Sequence, residues 1–270
     1  PEQAQVFCHT NDPIDGVHVI ESGKVRTVVE AVFGYHSARA QIKYLLSETD
    51  GMQIDVRIVW DEKQKLVKMN VPAAFGKTEC IGEQAYGRET LKDGLEENVA
   101  QRYEALCQPD ADGLALVVLN NGVYGSSFDS TENALKITLL RSPSYTAHPL
   151  SGRITMPQDR YMPYIEQGER DFSFKFVAGT RREVLDKAPR LSAHFNRRPM
   201  VLSFYPTGVG EKPQAPVLLK DNDIVTLETF KKADCGDGYI LRLFNPTETA
   251  QTATLCVYGA QLALKFGKFE

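Results

Sequence analysis

The chain has 270 residues, 42% of them hydrophobic and 24% charged, with a formal net charge of -4. That length buries a large core as one big β architecture or as two smaller domains, the balance is that of an ordinary globular chain, and the acidic charge leaves no broad basic surface for nucleic acid or an anionic membrane. No apolar run approaches the roughly 18 residues of a spanning helix, and Pro1-Glu2-Gln3-Ala4-Gln5 has neither the basic nor the apolar region of an export signal.

In chain order, the dominant period is two. Val25 to Phe33 alternates first, followed by Ile42 to Leu46. Asp50-Gly51 then reads as a hairpin turn needing positive φ at its glycine. Met52, Ile54, Val56, Ile58 and Trp60 interleave with Gln53, Asp55 and Arg57, as a half-buried strand must, because successive side chains point to opposite faces. Leu66 to Val71 repeats the pattern until Pro72 stops it. From residue 72 to 113 the alternation fades, marking an edge or a weak subdivision; Leu91 to Tyr103 could form a helix if Gly94 is tolerated near its start. Strands return at Leu114 to Leu119, Leu135 to Leu140 and Phe172 to Phe176. Arg181 to Lys187 spells about two helical turns before Pro189. Met200 to Phe204, Tyr239 to Phe244, Thr254 to Tyr258 and Leu262 to Phe266 complete the series, with turns at Asn121-Gly122, Gly236-Asp237-Gly238 and Asn245-Pro246-Thr247. These elements predict an all-β fold: one large antiparallel β-sandwich spanning residues 1–270, with one or two short helices.

Chemistry-bearing residues are scattered. The five cysteines, Cys8, Cys80, Cys107, Cys235 and Cys256, include no C-x-x-C pair, so they read as reduced and mostly buried in a cytoplasmic protein. Cys8 beside His9 is the one sequence-level candidate for a thiol nucleophile, although adjacency in sequence creates no pair in space. His9, His18, His36, His148 and His194 stand at no metal-type spacing, and no nucleophile elbow or phosphate-binding glycine loop occurs. Glu166, Glu169 and Asp171 form the tightest carboxylate cluster. Glycosidase chemistry needs two such groups across a bond, but Phe172, Phe174 and Phe176 take one strand face, which leaves Asp171 on the solvated one. No catalytic or metal-binding residue is therefore assigned within the chain.

The ordered words Leu119-Asn120-Asn121-Gly122-Val123-Tyr124-Gly125, Leu139-Leu140-Arg141-Ser142-Pro143, and Glu166-Gln167-Gly168-Glu169 with Phe172 resemble the C-terminal β portion of glycoside hydrolase family 38 alpha-mannosidases. Trp60-Asp61-Glu62, Leu66-Val67-Lys68, Pro72 and Glu83 to Gly87 ending in Arg88 extend the resemblance upstream. Asn196 with Pro199, the proline of Tyr205-Pro206, and Leu241-Arg242-Leu243-Phe244-Asn245-Pro246 extend it downstream. The resemblance implies a supersandwich like that of galactose mutarotase. It also implies a retaining enzyme acting on alpha-linked mannose, whose aspartate nucleophile, acid/base carboxylate and zinc belong to an N-terminal domain that nothing in this chain matches. With a proline first and no initiator methionine, the chain reads as a fragment of that longer enzyme, inactive by itself and partnered by the N-terminal catalytic domain and mannose-containing glycans. Homo-oligomerisation stays open.

The resemblance places Arg141 at the parent pocket's rim, with Tyr124 and Gln167 as weaker candidates, since a guanidinium offers fixed donors to sugar hydroxyls. A structural ion pair of Arg141 with Glu166 or Asp171 competes equally. The chain departs from the family at Val177-Ala178-Gly179-Thr180, where many members carry Pro-His-x-Gly. Two other readings remain: a carbohydrate-binding or scaffolding sandwich, and a mutarotase-type epimerase using His148 and Glu166. A domain taken from its enzyme should also leave an apolar patch exposed.

Overall fold

The computed structural model describes residues 13–48, 51–94, 96–144, 163–197, 200–203, 205, 208, 210 and 215–270. The first strands, β1 (Val17–Ser22), β2 (Arg26–Tyr35), β3 (Ala38–Ser47) and β4 (Gly51–Trp60), form an antiparallel meander. Next come β5 (Leu66–Pro72), β6 (Glu79–Gln84), β7 (Gly87–Thr90), β8 (Asn98–Val99), β9 (Tyr103–Cys107), β10 (Leu114–Asn120), β11 (Gly125–Asp129) and β12 (Ala134–Arg141). The long strand β13 (Gly168–Thr180) runs directly into the helix α1 (Arg181–Asn196). The chain closes with β14 (Val217–Lys220), β15 (Thr226–Lys232), β16 (Tyr239–Phe244), β17 (Gln251–Val257) and β18 (Ala260–Phe266).

A nine-stranded sheet has the order β1-β2-β3-β4-β13-β10-β9-β6-β7, and a four-stranded sheet the order β5-β12-β11-β8. Phe128, Leu135 and Ile137 of the small sheet pack against Leu106, Val118 and Phe174 of the large one. The alternating residues Val56, Ile58 and Trp60 meet Leu140 in the same interlayer space. On the opposite face of the large sheet, Val184, Leu185 and Ala188 of α1 cover Tyr103, Ala105, Val117 and Leu119. The fold is thus all-β, two stacked sheets with one helix as a third layer. The smaller sheets β14-β17-β18 and β15-β16 follow in the chain.

Three expected elements differ. Among the described residues Leu91 to Tyr103 forms no helix: Gly94 has φ +119°, and the Asn98 amide accepts from Lys92 N at 3.0 Å and donates to Lys92 O at 2.9 Å. Those two bonds close a loop in place of helical ones. Met200 to Leu202 is not a strand but an unpaired stretch, with Met200 90% exposed; Phe204 lies outside the described residues. Conversely, α1 continues through Pro189 to Asn196. The missing proline N–H is tolerated because Leu185, Ala188, Pro189 and Ser192 bury one continuous face. The 72–113 stretch holds β6 to β9. Strands β7 and β8 end their sheets, whereas β9 is interior and buried on both faces.

Candidate functional site

Strand β12 ends at Arg141, opposite Leu66 of β5. The Arg141 backbone N–H donates to Glu166 Oε2 at 2.6 Å. Glu166 and Gly168 both take positive φ, +53° and +96°, so the chain turns sharply into β13, where Gly168 pairs with Trp60. Between them Gln167 Nε2 donates to Glu62 O at 3.0 Å and to Ile165 O at 3.4 Å. Arg141 and Gln167 therefore share one corner, joined through Glu166. Tyr124 lies on a different loop, between β10 and β11, with its side chain in solvent (58% exposed) and its carbonyl accepting from Ala100 N at 3.0 Å. Among the described residues Arg141 makes no ion pair with Glu166 or Asp171. Glu166 accepts the backbone N–H, and Asp171 faces Arg57 at 3.9 Å.

Arg57 of β4 also donates to Glu169. Beside this pair Ser173 Oγ donates to Asp55 at 2.6 Å and Gln41 Nε2 to Glu30 at 2.8 Å, which gives a cross-strand ladder of polar pairs on a solvated face. Glu169 and Asp171 are thereby drawn to one arginine. Of the histidines, His18 contacts Asp15 O at 2.6 Å, and His36 stacks on Tyr35 at 4.3 Å. His9 and His148 lie outside the described residues, as does Cys8. Among the described residues no three His, Cys, Asp or Glu side chains converge as a metal site. Cys80 and Cys107 are buried free thiols, and burial pushes the Cys107 thiol up to about 11, away from thiolate chemistry.

Two acidic residues that the alternation did not single out are deeply buried. Glu104 of β9 is 1% exposed and accepts a hydrogen bond from Ser126 of β11, so it bridges the two sheets. Burial pushes its carboxyl up to about 7, against the Ser126 hydrogen bond, which lowers it. Nearby, Lys68 donates to Glu97 and to Ser127 Oγ, the latter at 3.0 Å. The second acid, Glu83 of β6, is 4% exposed and accepts from Arg102 Nε at 3.0 Å and Arg102 N at 2.8 Å. This fork borders a cleft of about 330 Å³ beside the β6–β7 turn and the β15–β16 pair. One signal was available in the sequence. Tyr103-Glu104-Ala105-Leu106-Cys107 places a carboxylate inside an apolar run, which demands a buried partner.

The fold and this corner define a class: a multi-sheet antiparallel β domain whose buried acids Glu83 and Glu104 are hydrogen-bonded within the fold and whose exposed arginine stands at a sheet end. The family described as "Glycosyl hydrolases family 38 C-terminal domain" matches residues 2–149, and the chain belongs to it. An alpha-mannosidase from Enterococcus faecalis V583 superposes with a TM-score of 0.76 at 10% identity, over 94% of this chain and 34% of that one. A glycosyl hydrolase family 38 protein from Enterococcus faecalis gives 0.75 at 12% identity, over 94% and 35% respectively. The chain thus spans about a third of the length of these structures, and at such identities the likeness is one of fold. No curated protein matches the sequence.

Proposed function

We propose that this chain is the non-catalytic β portion of an alpha-mannosidase, completing the enzyme's fold and bordering its sugar pocket through Arg141. The observation that carries the pocket assignment is the corner itself. Glu166 holds the Arg141 backbone in place while the guanidinium stays uncommitted among the described residues, which leaves fixed donors for sugar hydroxyls. Gln167 serves as the support of that corner, and Tyr124 as a more distant part of the rim. The catalytic carboxylates and the zinc are proposed to reside in an upstream domain, because the matching family is described as a C-terminal domain and the chain spans about a third of the length of the structures it resembles. That domain is also the partner proposed to cover the β1 edge, where Val17, Val19 and Ile20 are exposed. Free thiols fit a reducing compartment, and the cytoplasm is the proposed location.

The test is an assay on an aryl alpha-mannoside with added zinc, using the chain alone and the chain combined with the proposed catalytic segment. Activity is expected only in the combination. Arg141→Ala should then lower kcat/KM by about 10- to 100-fold, the loss of one charge-assisted hydrogen bond worth roughly 1.5–3 kcal/mol. Turnover by the chain alone would overturn the non-catalytic assignment.

A further inference from the structure

The cleft beside the β6–β7 turn is remote in sequence from the Arg141 corner, and its lining is more varied. Its volume of about 330 Å³ lies at the small end of ligand-sized sites. Two stretches far apart in the chain converge on it, Glu83 to Gly87 and the end of β16 with Pro246. The β16 exit is rigid: Asn245 is fully buried and its amide donates to Thr249 O at 2.8 Å and Gly267 O at 2.6 Å. Tyr86 sits at the turn with φ +59°. Its ring meets Phe244 edge-on at 5.6 Å and 85°, yet the residue is 64% exposed, so the contact fixes the ring without covering it.

The charges of the lining cancel. Glu83 is held by Arg102, while Glu228 of β15 faces the same space as Arg242 of β16. Glu228 faces Arg197 at 3.7 Å, and Arg242 is exposed without an ion pair among the described residues. An exposed aromatic ring lining one cleft with a carboxylate and a guanidinium, with no net charge, is complementary to a neutral polyol. The ring takes an apolar C–H face, the carboxylate accepts from neighbouring hydroxyls and the guanidinium donates to them. A phosphate dianion would instead call for an excess of positive donors.

The geometry points to a second carbohydrate site in this cleft, taking one neutral hexose unit of a glycan on Tyr86, Arg242 and Glu228. It stands apart from the alpha-mannosidase reading, because it requires binding without hydrolysis. The test titrates the full chain with methyl alpha-mannopyranoside, and separately with inorganic phosphate, following amide shifts by NMR. Saturable sugar binding is expected, with a dissociation constant on the order of 1 mM. Arg242→Ala, a surface change, should weaken it about 10-fold with an unaltered melting temperature, and Tyr86→Ala, which also gives up the ring contact with Phe244, should weaken it about 10-fold while the native amide pattern is kept. No saturable shift of the cleft amides with the sugar, binding unaffected by both Tyr86→Ala and Arg242→Ala, or a response to phosphate alone would each overturn the proposal. Failure of the mannosidase assay would not affect it.

Discussion

Glu104 couples the packing of the two sheets to proton concentration. Its native carboxyl holds a proton up to about pH 7 because burial disfavours the anion, whereas the ordinary value is 4.5. Between those values the native state binds more protons than the unfolded one. This contribution to stability is therefore fully present below about pH 4.5 and is lost as the pH rises through about 7. The gap corresponds to roughly 3 kcal/mol. Glu104→Gln keeps an acceptor for Ser126 and removes the titration. The variant should equal or trail the wild type near pH 4.5 and gain on it steadily towards about pH 8, measured as the difference in urea midpoints. A difference that does not change with pH would remove Glu104 from this role. The sequence shows a lone acid in an apolar run, but which residue answers it, Ser126 of another sheet, depends on how the layers stack.

At the level of elements, α1 depends on packing more than on propensity. In the sequence Arg181 to Lys187 spells a helix that Pro189 is expected to stop. The structure carries the helix on because a buried face outweighs one missing hydrogen bond. Fit is close here, since a Cβ built on Gly179 of β13 would meet Val184 Cγ1 at 2.9 Å. Leu185→Ala should accordingly cost about 2–5 kcal/mol in chemical denaturation, the range for a large-to-small change at a buried site. A loss below about 1 kcal/mol would mean that α1 is not anchored on the sheet. Half-buried strands such as β4 were equally legible, since one face meets the core and the other meets water. Strand β9 was not, because sheet and helix bury both of its faces and abolish the alternation.

Over the whole molecule, stability should be graded from the centre of the large sheet to its margins. Strand β10 is paired on both sides, with β9 and β13, and is covered on both faces. Strand β1 has one neighbour and is exposed along its full length. Native-state hydrogen exchange should therefore find the slowest amides in β10 and β9 and early exchange throughout β1. Equal protection in β1 would require a covering layer on that edge. By itself the sequence determined the all-β class, most of the alternating strands, and the turns at Gly122 and Gly236, where positive φ calls for glycine. Local periodicity and turn chemistry are written in consecutive residues. Only the tertiary structure decided that Glu166 holds the Arg141 backbone, that Glu104 meets Ser126 between sheets, and that Tyr86 and Arg242 line one cleft. These are meetings of residues distant in the chain, fixed by strand register and layer stacking rather than by spacing.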